Sequence, residues 1–258
     1  MPDIVALKAF KDNYIWTLRD GRCAAVVDPG EAAPVLEYLA AERLALVAIL
    51  LTHHHPDHVG GVPDLLRLKP VPVYGPRNEP IATLTHPVSE GDRVAVPELG
   101  VDLAVLDIPG HTRAHIAYYG AISGAPSLFS GDTLFACGCG RVFEGTNEQM
   151  YASLDKLLAL PDETLVYCGH EYTLANIGFA QSLEPGNSAL ARRELRDRRL
   201  REQGKPTLPS TLADEKATNP FLRCREPAVI ESANKYLGAR IADPARVFAA
   251  IREMKNRF

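Results

Sequence analysis

Cysteines are few, long apolar runs are absent, and each shortage narrows what the chain does. The five cysteines, Cys23, Cys137, Cys139, Cys168 and Cys224, are an odd number for 258 residues, and none forms the C-x2-C pair of a zinc ribbon. They read as reduced thiols of a cytoplasmic protein; Cys137 and Cys139, flanked by glycines, read as inert thiols in a loop lining a cleft. The longest unbroken apolar stretch, Leu44 to Leu51, has eight residues. A membrane span needs about 20, so this is a core strand and no membrane partner is expected. The first residues, Met1-Pro2-Asp3-Ile4, carry no basic region ahead of an apolar one, so no secretory leader is expected.

What is present is a globular composition, 46% hydrophobic and 23% charged, with room for one large domain or a domain plus an appendage. The net charge of -4 is unevenly spread. Residues 1–185 hold 12 Lys+Arg against 23 Asp+Glu, residues 186–258 hold 16 against 9, and all eight histidines lie at or before position 170. An acidic, His-containing part suits a metal site and a basic tail suits anion recognition. Such an acidic part attracts a polyanion poorly, and no aromatic-basic interleaving is visible, so no nucleic-acid partner is expected.

Short segments rich in β-branched, aromatic and apolar residues, separated by turn residues and including the unbroken apolar run at 46–52, predict strands at 4–10, 14–18, 24–28, 46–52, 71–74, 93–96, 102–108, 114–119, 127–130 and 164–168. Helical spacing marks 31–43, 59–68 and 149–160. Amphipathic and buried strands with interspersed helices predict an α/β fold, a four-layer αββα sandwich. From Ser188 a charged helix follows, with Leu190, Leu195 and Leu200 expected inward and Arg192–Arg201 expected to solvate it. No strand is expected beyond it: 204–220 reads as a proline-rich linker, and 227–237 and 244–255 read as helices. The division is a metal-binding domain at 1–172 and a helical domain at 173–258.

The chemistry sits in Thr52-His53-His54-His55-Pro56-Asp57-His58, directly after the buried strand. In an extended segment alternate residues point the same way, so His53 and His55 can share one ion while His54 faces elsewhere. Asp57 and His58 open the next helix and aim at a neighbouring position. Three further candidates each follow an apolar strand and a glycine: His111, Asp132 and His170. Seven His and Asp ligands exceed what one tetrahedral zinc uses, and suit two ions sharing a carboxylate. The remaining histidines take bland roles: His54 supports or packs, His86 sits in a loop, and His115 starts an apolar strand.

These motifs, with Gly138–Thr146, Gly169–Thr173, Asn219–Arg223 and the closing Arg252–Phe258, resemble the metallo-β-lactamase superfamily and, within it, the hydroxyacylglutathione hydrolase (glyoxalase II) family, over essentially the full length. The resemblance implies that His53, His55 and His111 hold one divalent ion, Asp57, His58 and His170 the other, and that Asp132 bridges both. It implies a glutathione thioester as partner, lying against Arg141, Phe143 and Tyr172, with Arg252 and Lys255 reaching its carboxylates. Some members of the family carry Lys and Tyr where this chain has Arg141 and Phe143; Arg keeps the charge, whereas Phe143 has no hydroxyl to donate. The expected enzyme is a cytoplasmic monomer with two divalent ions, zinc first and iron or manganese as alternatives. It releases D-lactate and glutathione from S-D-lactoylglutathione, with Asp57 orienting the attacking water or taking its proton. The rival readings are a persulfide dioxygenase or another hydrolase of the same fold.

Overall fold

The computed structural model describes residues 2–258. In chain order its elements are β1 (Asp3–Ala9), β2 (Asn13–Arg19), β3 (Cys23–Val27), α1 (Ala33–Glu42), β4 (Ala45–Leu50), α2 (Pro56–Val59), α3 (Val62–Leu68), β5 (Val73–Pro76), β6 (His86–Val88), β7 (Arg93–Val96), β8 (Val101–Asp107), β9 (Ile116–Ile122), β10 (Ala125–Gly131), β11 (Leu134–Phe135), β12 (Gly138–Cys139), α4 (Asn147–Leu158), β13 (Leu165–Cys168), α5 (Thr173–Leu183), α6 (Ser188–Glu202), β14 (Ser210–Thr211), α7 (Leu212–Thr218), α8 (Pro227–Leu237) and α9 (Pro244–Arg257). One sheet runs β1-β2-β3-β4-β5-β6, a second runs β14-β13-β10-β9-β8-β7, and β11 and β12 form a hairpin of their own.

Alternation along the strands builds the layers. In β3, Ala25 and Val27 face the second sheet while Ala24 and Val26 face α1 and α3; in β10, Phe129 faces the first sheet and Leu128 faces the helices. Three apolar interfaces result. One lies between the sheets around Trp16, Leu103, Tyr118 and Phe129. A second lies between the first sheet and α1 and α3 around Val35, Leu39 and Leu65. The third lies between the second sheet and α4, α5, α8 and α9 around Leu154, Phe179, Phe248 and Ile251. Three interfaces make four layers, the αββα sandwich expected. Each fully buried Leu, Ile or Phe contributes about 1.5–3 kcal/mol of transfer free energy. No helix among the described residues is long and apolar enough to cross a membrane.

The chain departs from expectation at His86 and at several places in its C-terminal part. The segment expected as a linker contains β14 and α7, and β14 pairs antiparallel with β13. A two-residue strand has no period to read; its partner strand defines it. In α6 Leu190 is buried, but Leu195 is 60% exposed and the buried positions are Arg193 and Asp197. Arg193 therefore does not solvate the helix: it pairs with Asp197 and, at 2.6 Å, with Glu215 of α7. His86 lies in β6, the edge strand of the first sheet, rather than in a loop.

Candidate metal centre and substrate cavity

The seven predicted donors come from four strand ends and meet at one edge of the sandwich. β4 leads into Thr52–His55, where Pro56 at the start of α2 holds His55 extended (φ -60°, ψ 143°). Asp57 and His58 follow on α2. His111 lies between β8 and β9, Asp132 directly after β10, and His170 after β13. Two glycines let these ends close up. Gly131 has φ +49°, and a Cβ there would stand 2.4 Å from Thr52 Oγ1. A Cβ on Gly169 would stand 2.5 Å from Asp132 Oδ1 and 2.7 Å from His58 Cε1.

Two triads of donors result, His53/His55/His111 and Asp57/His58/His170, the atoms of each lying within 4.8 Å of one another. In the first, His55 Nδ1 lies 3.1 Å from His53 Nε2 and 3.0 Å from His111 Nε2. Tetrahedral Zn–N bonds separate donor nitrogens by about 3.3 Å, close to this spacing. In the second, Asp57 Oδ2 lies 3.5 Å from His58 Nε2 and 3.4 Å from His170 Nε2. Asp132 stands between the triads, 3.6 Å from His111, 3.4 Å from His58 and 3.3 Å from His170. His58 Nε2 and Asp132 Oδ1 are buried without a hydrogen-bond partner. Orphaned atoms at the meeting point of nitrogen and carboxylate donors fit a bound cation.

The far side of four of the five imidazoles is held, which sets the tautomer of each. His58 Nδ1 lies 3.1 Å from Asp28 Oδ2. Thr52 Oγ1 donates to the same oxygen at 2.7 Å, so it accepts from His53 Nδ1 at 3.0 Å. His111 Nδ1 donates to the Arg141 carbonyl, His170 Nδ1 to Asp12, and Asn13 Nδ2 to Asp57 Oδ2, at 2.8, 2.8 and 3.0 Å. His115 is no bystander: its Nε2 accepts from the Asp132 backbone N–H at 3.1 Å, and its ring stacks on His53 at 4.6 Å. Asp28, Asp12, Asn13 and His115 were not expected at the site; the one cue in the sequence is that each neighbours a turn or a strand end. His54 bonds the buried Glu79 and lies 3.3 Å from Glu144, so it supports the surrounding loops as expected.

Charge separates the triads. Burial and neighbouring imidazoles push His53, His55 and His111 down, leaving neutral nitrogen donors. Burial opposes protonation of His58 too, but the charges of Asp132 and Asp28, with the hydrogen bond to Asp28, carry it well above the usual range. His170 is pushed up to about 10 by Asp132 and Asp57 against its own burial. Burial opposes ionisation of Asp132, yet the charges of His58 and His170 hold it well below the usual carboxylate range. Asp57 is also held low, by His170, His58 and Asn13 acting against burial.

A cavity of about 480 Å³ opens beside His111 and Asp132, and all five predicted substrate contacts line it: Arg141, Phe143, Tyr172, Arg252 and Lys255. Phe143, 60% exposed, stands at 5.3 Å over His111 and 5.9 Å from His55. Tyr172 stacks on His170 at 4.7 Å. Arg252 is buried, and its Nη1 donates to the carbonyls of Cys139 (2.8 Å) and Gly140 (3.3 Å). Lys255 lies 3.2 Å from the Ala175 carbonyl, its pKa lowered to about 8 by burial and by Arg252. Cys139 lines the cavity as expected of that loop, whereas Cys137 turns away to the Thr218 carbonyl. Burial pushes both thiols up, Cys137 to about 12, so they stay protonated.

With this geometry in view, comparison with known proteins is decisive. The model of the metallo-beta-lactamase superfamily matches residues 11–170, and that of the hydroxyacylglutathione hydrolase C-terminus matches residues 171–258. The hydroxyacylglutathione hydrolase of Nitrosomonas eutropha is 55% identical over 258 residues, covering all of both chains. The chain belongs to the hydroxyacylglutathione hydrolase family. A second member, from Alkalilimnicola ehrlichii, is 56% identical over 258 residues and 99% of each chain. Among solved structures, ETHE1 from Myxococcus xanthus aligns with 99% of this chain and 98% of its own at 26% identity and a TM-score of 0.65. TTHA1623 in a di-iron-bound form aligns with 65% of this chain and 91% of its own at 33% identity and a TM-score of 0.54.

Proposed function

We propose that the chain hydrolyses S-(2-hydroxyacyl)glutathione, S-D-lactoylglutathione above all, to glutathione and a 2-hydroxy acid. The observation that carries this reading is that seven convergent His and Asp donors flank the cavity into which Arg141 and Lys255 project their charge. His53, His55 and His111 would hold one divalent ion, Asp57, His58 and His170 the other, with Asp132 shared. Zinc is assigned first, since these donors also accept iron and manganese. On this reading 1–172 is the metal-binding catalytic domain and 173–258 the substrate-binding domain.

A bound pair of divalent ions supplies activated water near neutral pH and polarises a carbonyl oxygen. The chain's own residues do the rest. Arg141 and Lys255 draw the tripeptide carboxylates into the cavity, and Arg141 offers a planar fork suited to bidentate contact. Phe143 and Tyr172 flank the two triads and exclude water from the acyl group; without a hydroxyl, Phe143 acts by packing. Asp57, held well below the usual carboxylate range, keeps its charge and orients water as an acceptor. A group so weakly basic is poorly matched to storing a proton at neutral pH, which favours the orienting role over that of general base. The leaving thiol has a pKa near 8.5 and departs as thiolate without a strong general acid.

Anaerobic incubation of the metal-loaded chain with S-D-lactoylglutathione, following free thiol, tests this. Stoichiometric release of glutathione and lactate is expected. No release under nitrogen, with oxygen consumption in air on a glutathione persulfide, would replace the reading with a dioxygenase.

A further inference from the structure

Between Asp132 and Arg141 the chain makes the β11–β12 hairpin, and its backbone is held by side chains of 173–258. Asn219 Nδ2 donates to the carbonyls of Gly138 (2.9 Å) and Phe135 (3.3 Å), and Asn176 Nδ2 to that of Ala136 (3.0 Å). The Cys137 N–H donates to the Glu215 carboxylate at 2.7 Å, and Arg252 takes the carbonyls of Cys139 and Gly140. Every residue from Phe135 to Gly140 is therefore tied to a side chain of 173–258. Cys137 has φ +56°, a conformation that a residue with a Cβ keeps only where its surroundings enforce it.

The enforcing groups are themselves fixed. Glu215 is fully buried and receives Arg193 Nη2 at 2.6 Å and Asn219 Nδ2 at 3.0 Å; Arg193 Nη1 donates to Thr218 at 2.6 Å. A buried ion pair is weak grounds for stability, because desolvation offsets its attraction. This one fixes a geometry instead. Asp132 has separate support from His115 and from the Gly169 N–H bond to the Gly131 carbonyl at 2.9 Å. The Arg141 side chain makes no hydrogen bond or ion pair among the described residues, so its charge stands where its backbone is held, by the hairpin that precedes it and by the His111 Nδ1 bond to its carbonyl at 2.8 Å.

We infer that Asn219 and Glu215 are positioning residues for substrate capture: through the β11–β12 backbone they hold Arg141 at the cavity, and so set KM without touching substrate. This rests on the glutathione thioester reading.

The test compares the full-length, metal-loaded chain with Asn219→Ala, Glu215→Gln, Asn176→Ala, Arg141→Ala and Asn219→Ala/Arg141→Ala on S-D-lactoylglutathione. Asn219→Ala should raise KM about tenfold with kcat and bound metal within about twofold of the parent, since misplacement of a binding group weakens binding before chemistry. The double variant should have the KM of Arg141→Ala alone, because both changes remove the same contact. Should Asn219→Ala and Glu215→Gln fail to fold, Asn176→Ala, which loses one bond to the same turn but also lines the cavity, should show a smaller KM rise that disappears in the Arg141→Ala background; a rise that persists there overturns the inference. Unchanged KM in folded variants, full multiplication of the two KM effects, or loss of metal with a fall in kcat overturns the inference. No turnover by the parent strikes the functional reading; turnover with unchanged KM in the variants strikes this inference alone.

Discussion

His58 Nε2 faces Asp132 Oδ1 at 3.4 Å, and neither buried atom has a hydrogen-bond partner. The Asp132 and Asp28 charges outweigh the burial of this imidazole and raise its pKa well above the usual range, which favours its protonated form. His170, pushed up to about 10, is favoured in its protonated form too. A cation at this position must displace both protons. Calorimetric zinc titration near pH 7 in buffers of different ionisation enthalpy should report at least two protons released per fully loaded chain, two from the imidazoles and any remainder from ionisation of activated water, and affinity should fall as pH is lowered. Release of none would mean that these imidazoles are already neutral before the ion binds.

Asp28 orients His58 directly and His53 through Thr52, so one carboxylate reaches both triads. Asp28→Asn should weaken metal binding about 10–100-fold, the usual cost of losing such a partner, while sparing KM measured at saturating metal. Competition with a chelator of known affinity measures the first, steady-state kinetics the second.

Gly169 has room for no side chain, as its Cβ would meet both Asp132 and His58. Gly169→Ala should keep the far-ultraviolet circular dichroism of the parent and lose bound metal, with the triad of His58 and His170 emptying first. Full metal content in this variant would contradict the close packing of the β10 and β13 ends.

Much of this centre was legible because its donors lie at short, regular spacings: His53 to His58 form one run, and His111, Asp132 and His170 each follow a glycine at a strand end. The supports were not legible. Asp28 serves His58 from 30 positions away and His115 reaches Asp132 across two strands, contacts that only the folded sheets create. The layers followed from alternation in β2, β3 and β10. Apolar periodicity misplaced Leu195, since Arg193 is buried by a partner in α7 that no local pattern announces. Likewise β14 exists only through its pairing with β13.

Lys255 provides a pH signature. Its pKa is lowered to about 8 by burial and by Arg252, so it is charged below that pH and neutral above it. With an anionic substrate, kcat/KM should fall as pH rises through about 8, and Lys255→Met should lower kcat/KM below that pH and abolish that inflection. Stability moves the other way: between pH 8 and about 10.4 the unfolded chain binds the proton that the folded one has lost, so this group's contribution to stability rises with pH. An unchanged profile in Lys255→Met would remove Lys255 from the substrate site.

The central claim is a two-ion centre acting on a glutathione thioester. Its most direct test is to strip the chain of metal and titrate zinc back while following thiol release from S-D-lactoylglutathione. Activity should reach its plateau at two equivalents per chain. A plateau at one equivalent, or no thiol release at two, would contradict the account.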